Sequence, residues 1–449
     1  MTGSMTEGST VKLILKFSLP LLLGNLLQQT YNMIDSAIVG QLLGVSALSS
    51  VGASSSVQFL VLGFCMGICA GFSVPVAKHF GAQKFARLRE CIFHSFILTG
   101  IFAVVLTLAT TLLCHSILRL MSTPETFYDG AYKYLFILFL GIPFSLFYNL
   151  VAGIMRALGD SRTPFIFLAV STVLNIFLDL LFIAVIPLGV SGAALATITA
   201  QCVSGISCYI YARKRYDVLN FNKDDFKIKL SVFRELIIMG VPMGLQFSIT
   251  AIGTMVMQRA NNGLGDVYVS GFTAGSKIKQ LAMCPFDAVA TGVSVFCGQN
   301  LGAKKTDRIR RGIFTGVSLG VGYGALIGLV LMFFGQTLTL MFVKPEETEV
   351  LSAAGRYLFR LGMFYWVLGI LNICRMTIQG LGYSSIAIFS GFIEMAARIG
   401  MCMFFVPKYR FDAICFTDQS AWVTAAVYCA VVCAWCVRRV NNQIKKEEK

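Results

Sequence analysis

The chain has 449 residues, of which 56% are hydrophobic and only 13% charged, with a formal net charge of +15. A soluble domain does not hold so apolar a composition, and a mean hydropathy of +0.74 points to an all-α integral membrane protein. The positive charge would suit nucleic acid if it were clustered, but it is spread through alternate gaps between apolar runs, so the bilayer is the expected partner and nucleic acid is not.

The opening MTGSMTEGST is polar, and the first apolar run lacks a small-residue cleavage site, so no cleavable signal is expected. Met1 and Met5 are both acceptable starts. About twelve runs long enough to span a bilayer follow, at roughly 12–40, 47–77, 91–115, 131–155, 163–187, 190–212, 232–260, 267–299, 312–342, 352–378, 384–406 and 411–437. Lipid offers backbone groups no partner, and the runs lack strand alternation, so each is read as a helix.

Span one, FSLPLLLGNLLQQTYNMIDSAIVGQLLG, contains Pro20, Gln28, Tyr31 and Asp35. An ionisable group at that depth costs roughly 2.5–3.5 kcal/mol even on the mildest insertion scale, which makes Asp35 a functional candidate. Span five, in STVLNIFLDLLF, holds Asn175 and Asp179 four residues apart on one helix face. Thr197 follows in span six. Counted from the span ends, Asp35, Asp179 and Thr197 all lie on the order of 10–12 Å below the outer boundary. Two carboxylates, an amide and a hydroxyl near one depth suit Na⁺, and suit a proton carrier equally. No Lys or Arg in spans one, five or six lies near that depth to neutralise them.

The segment RKRYDVLNFNKDDFKIKL at 213–230 is polar and reads as a tether between lobes. In span eight Asp287 has Lys277 and Lys279 two to three turns away, so a structural pairing or a cavity charge competes with a cation role. In span eleven Glu394 and Arg398 are spaced to satisfy each other. His79, His94 and His115 are isolated and show no metal spacing, and the 14 cysteines read as small buried hydrophobes. No nucleotide-binding loop or catalytic motif appears, so neither an enzyme nor a primary pump is expected.

The basic gaps are 78–90, 156–162, 213–234 and 304–311, with Arg375 and the tail from Arg438. By the positive-inside rule both termini face the cytoplasm. The chain also repeats itself. FSLPLLLGN at 17–25 matches MGVPMGLQF at 239–247, HFGAQKFARLR at 79–89 matches NLGAKKTDRIR at 300–310, STPETF at 122–127 matches VKPEET at 343–348, and MRALGDS at 155–161 matches IQGLGYS at 378–384. A constant offset of 221–223 implies two six-helix lobes, 1–212 and 232–449, joined by a linker at 213–231. Even-numbered halves enter the membrane alike, so a pseudo-two-fold along the membrane normal is expected. In the second copy Met257, Arg398 and Cys402 stand opposite Asp35, Asn175 and Asp179, so the acid pair belongs to the first lobe.

These residues resemble the multidrug and toxic compound extrusion (MATE) transporters along essentially the whole chain: the FSLP opening, the IDS ending of span one, and the FGAxK and RALGDSxTP loops. The DinF-like branch is the nearest in pattern, and the resemblance implies a first-lobe cation site at Asp35, Asn175, Asp179 and Thr197. It further implies coupling or cavity roles for Pro20, Gln28, Tyr31 and Asn149. The implied activity is antiport of amphipathic, often cationic, compounds against inward Na⁺ or H⁺, with no other cofactor. The protein would be a monomer in the plasma membrane. A lipid-linked saccharide flippase of the same wider superfamily is the alternative. Second-lobe acids used by other branches on spans seven and ten are missing here.

Overall fold

A computed structural model describes residues 4–120 and 125–447; Met1 and residues 122–124 of the third repeat match lie outside the described residues. The helices are α1 (Thr10–Leu43), α2 (Val45–Gly81), α3 (Phe85–Leu120), α4 (Glu125–Leu140), α5 (Ile142–Ala157), α6 (Arg162–Leu180) and α7 (Val190–Arg215). They continue with α8 (Leu230–Asn262), α9 (Asp266–Gly302), α10 (Thr306–Thr339), α11 (Thr348–Gly380), α12 (Ser384–Gly400), the short α13 (Val406–Tyr409) and α14 (Phe411–Glu447). Among the described residues, eleven helices, some including an adjoining turn, are long and apolar enough to cross a membrane.

The twelfth span differs from expectation. The sequence reads 131–155 as one run, but the chain bends by 47° between Tyr128–Leu140 and Ile142–Ala157. Pro143 has no N–H to give and its ring crowds the carbonyl four residues back. Gly141 at the corner lies so close to Ile198 that a Cβ would collide with that side chain.

The chain forms two compact units, Leu23–Gly244 and Met5–Leu22 with Leu245–Lys449. The division therefore does not fall in the 213–231 linker. It falls inside α1, between Leu22 and Leu23, and inside α8, between Gly244 and Leu245, two points separated by the repeat offset of 222. Pro20 and Pro242 lie two residues before these points, within the helices.

In the first unit, the first half of α8 docks on α2 through paired glycines. A Cβ on Gly67 would stand 2.7 Å from Gly244 Cα, and one on Gly71 would stand 2.5 Å from Gly240 Cα. Only hydrogen fits at such a crossing, the small-residue packing that helices use in lipid. The linker packs on the same unit through 3₁₀ turns at Asp217–Leu219 and Lys223–Phe226. Arg89 Nε donates to Asp225 Oδ2 at 2.9 Å and Lys229 Nζ to Glu90 Oε1 at 2.6 Å.

Between α5 and α6, Asp160 takes up the free N–H groups that any helix start exposes. It accepts from the Arg162 and Thr163 amides at 3.0 Å and from the Thr163 and Tyr216 hydroxyls at 2.7 Å. Partial burial alone would raise its pKa, but these hydrogen bonds, led by those from Thr163 and Tyr216, hold the carboxyl below its ordinary value.

In the second unit, α10 carries buried glycines at 312, 316, 320, 324 and 328, every fourth residue, and so on one face. A Cβ on Gly324 would stand 2.6 Å from Trp366 Cα, and one on Gly320 would stand 2.9 Å from Gly369 Cα, so α10 and α11 touch backbone to backbone. The segment before α1 is pinned to this unit. The Met5 amide donates to Gln299 Oε1 at 2.8 Å, and Arg308 Nη1 donates to the Gly8 carbonyl at 2.8 Å.

Candidate cation site

Asp35 lies in α1 one turn after Tyr31, and Asn175 lies in α6 one turn before Asp179. The first unit brings these four together with Thr197 of α7. Asp35 is 7% exposed, Asn175 3% and Asp179 0%. The Thr197 hydroxyl donates to the Ala193 carbonyl at 3.1 Å, accepts from Asn175 Nδ2 at 3.4 Å, and lies 3.1 Å from the Tyr31 hydroxyl. A hydroxyl has one proton to give and two lone pairs to fill. With its proton on Ala193, Thr197 must be the acceptor from Tyr31, and its capacity is then used up. It orients Tyr31 and Asn175.

What remains are oxygens without donors. Asp35 Oδ1, Asn175 Oδ1 and both carboxylate oxygens of Asp179 are buried and accept no hydrogen bond among the described residues. The two carboxyls are neighbours, close enough to hydrogen-bond if one of them carries a proton. With both ionised, Asp35 Oδ1 and both oxygens of Asp179 have no donor and the charges repel. Neither acid forms an ion pair among the described residues. A single hard cation bound by oxygens, or a single proton shared by the acids, satisfies this arrangement.

One residue beyond Asp179 α6 ends and the helix loosens into a π-turn, Leu181–Val185, and a second π-turn, Met401–Phe405, follows α12 one to three residues earlier in the repeat register. Such widened turns are frequent at functional sites. Tyr134 of α4 lies near these residues. It is 4% exposed and stands within electrostatic reach of Asp35, Tyr31 and Asp179. Sequence reading passes over it because a tyrosine in an apolar aromatic run carries no mark of its own; its only signal is a position near mid-span.

The other sequence candidates fall elsewhere. Asn149 donates to the Ser145 carbonyl of its own helix at 2.8 Å, and Ser145 in turn contacts Gln201, so this amide belongs to a separate polar group of the first unit. Gln28 is exposed. Pro20 belongs to the second unit, as does Asp287.

Of the alternatives left open for Asp287, the pairing with Lys277 or Lys279 is not formed. Lys279 Nζ instead reaches Asp418 Oδ2 at 2.7 Å, and Lys277 lies over the Phe342 ring at 5.5 Å. Asp287 is exposed, with Arg375 the basic group that acts on it. Glu394 and Arg398 do pair, at 3.3 Å, but within a larger network. Arg398 Nε donates to Asp418 Oδ1 at 3.2 Å, Arg375 binds Glu394, and the Tyr357 hydroxyl donates to Asp418 at 3.1 Å. Glu394 and Asp418 of the second unit thus carry the chain's own cations, whereas Asp35 and Asp179 of the first unit carry none among the described residues.

A helical protein built twice over, with apolar spanning helices and an uncompensated acid pair buried in one copy, has the make-up of an ion-coupled membrane transporter. The profile of the MatE family matches residues 20–181 and again 242–404, which reproduces the repeat and its offset. The chain belongs to the MatE family; it is a membrane transporter of the multidrug-efflux class and not an enzyme. It is 29% identical over 420 residues to the probable multidrug resistance protein YpnP of Bacillus subtilis, covering 93% of this chain and 90% of that one. It is 24% identical to the multidrug export protein MepA of Staphylococcus haemolyticus, covering 86% and 85%. Among solved structures, a MATE protein in complex with MaL6 superposes with a TM-score of 0.91 at 21% identity, over 99% of this chain and 100% of that one.

Proposed function

We propose that this transporter exports amphipathic, cationic organic compounds in exchange for Na⁺ or H⁺ moving inward, and that Asp35 and Asp179 bind the coupling ion. The observation that carries the reading is the set of four buried oxygens without donors, three of them from two adjacent carboxyls. Asn175 supplies the fourth, and Thr197 and Tyr31 hold it in place. Na⁺ would add one positive charge to two negative ones and provide oxygens with a partner; a proton would do the same by turning one acid into a donor for the other. Each inward charge contributes about 2.3 kcal/mol per 100 mV of membrane potential before any concentration gradient. The names of the relatives, multidrug resistance and multidrug export proteins, support the substrate class and direction. The alternating basic gaps support a plasma-membrane protein with both termini cytoplasmic.

The test is export of a fluorescent lipophilic cation from proteoliposomes with Na⁺ and pH gradients imposed separately. Export driven by at least one gradient is expected. Equal export after both gradients are collapsed would refute antiport.

A further inference from the structure

At one end of the first unit, three side chains that have no sequence spacing in common converge. His79 comes from the last turn of α2, Cys91 from the second turn of α3 and Glu235 from the second turn of α8. One ligand atom of each lies within 4.8 Å of both others. We propose that these three residues form a Zn²⁺ site, separate from the acid pair and independent of the ion-coupling reading.

Ion pairing alone does not account for the cluster. His79 Nε2 is buried and makes no hydrogen bond; it lies 3.4 Å from Glu235 Oε1 without hydrogen-bond geometry. The Cys91 thiol is wholly buried beside it. A nitrogen, a sulfur and a carboxylate oxygen are the donor set that Zn²⁺ takes, with three protein ligands leaving a fourth position for water. Zinc bonds of about 2.0–2.3 Å set ligand atoms roughly 3.5 Å apart in a tetrahedron, so side-chain movements of about 1 Å close the site.

Two cations compete. Arg87 Nη2 holds Glu235 Oε2 at 3.3 Å, and Lys78 acts on both Cys91 and Glu235. Arg87 has a second partner, since its Nη1 lies 3.0 Å from Glu90 Oε2, and Glu90 is also paired with Lys229 at 2.6 Å. Release of Glu235 to the metal therefore leaves Arg87 held by Glu90, a carboxylate it shares with Lys229. On binding, the Cys91 S–H bond breaks, its proton passes to solvent, and the thiolate forms the Zn–S bond. Neutral His79 donates through Nε2 and Glu235 through an ionised oxygen. The ion would clip the start of α8 to α2 and α3.

The full chain, purified in detergent and stripped with a chelator, is titrated with Co²⁺ as a spectroscopic stand-in. One equivalent is expected to give thiolate-to-cobalt charge-transfer absorption and visible bands of tetrahedral intensity, both abolished by one equivalent of Zn²⁺. Cys91→Ser should lose the charge-transfer band, although thirteen other cysteines remain. His79→Gln and Glu235→Gln, which keep the thiol, should weaken Co²⁺ binding at least tenfold. Zn²⁺ should raise the melting temperature of the wild type and of none of the three variants. Absence of the band in the wild type, or its survival unchanged in Cys91→Ser or in both other variants, would overturn the assignment.

Discussion

Asp179→Asn separates a coupling role from a structural one because the two predict opposite effects on stability. The substitution keeps the shape of the side chain, removes one of two neighbouring buried charges, and brings an amide that donates. Two like charges about 4 Å apart repel by about 4 kcal/mol at an effective dielectric of 20. Asp35 Oδ1, without a donor in the wild type, would also gain one, and an unsatisfied buried acceptor costs about 1–3 kcal/mol. Allowing for relaxation of the wild-type pair, a net gain of about 1–3 kcal/mol is expected. In Na⁺-free alkaline buffer the variant should therefore melt higher than the wild type. The gap should narrow as acid or the coupling cation is added, because either relieves the same repulsion in the wild type. Gradient-driven export of a fluorescent cation by the variant should fall to background. A variant that melts lower than the wild type, or that exports normally, refutes the reasoning.

Gly324→Ala places a methyl 2.6 Å from the Trp366 backbone and should cost about 1–3 kcal/mol in detergent melting, while Gly322→Ala, which meets nothing within 4 Å, should be close to neutral. Equal effects at the two sites would show that α10 and α11 do not meet through the glycine face. Asp160→Asn should lower stability by about 1 kcal/mol at neutral pH. Because the folded carboxyl is held below its ordinary value, its contribution is complete above the ordinary range near pH 4 and is lost only as pH falls through the lowered value. Melting measured from pH 8 downward should keep the two proteins a constant distance apart until strong acid. A gap that closes between pH 7 and 5 would contradict the assignment.

The membrane class, the repeat and the acid pair were legible because each breaks a simple rule. An acid in an apolar run stands out on its own, and Asn175 and Asp179 announce their shared face by spacing. Contacts over long separations were not legible. Asp418 lies near the start of its span, where an acid reads as part of a loop, and nothing local names Lys279 as its partner 139 residues away. The same holds for His79, Cys91 and Glu235, which only the packing of three helices brings together. Nor does the sequence disclose that α1 and α8 each serve two units, since both read as uninterrupted apolar runs. The division near Pro20 and Pro242 emerges only from which residues pack with which.

The charged network of the second unit has a consequence for how the chain is made. Glu394 and Arg398 share α12 and can enter the bilayer already paired, but Lys279 on α9 reaches the membrane before the acid that pairs with it. Its partner Asp418 arrives only with α14, 139 residues later in the chain. Until then an ammonium group must wait at membrane depth or hold its helix short of full insertion. A chain cut before α14 leaves Lys279 without its acid, and such products should be selectively retained by the insertion machinery and degraded. In this way α14 supplies the charge that α9 lacks when it is made.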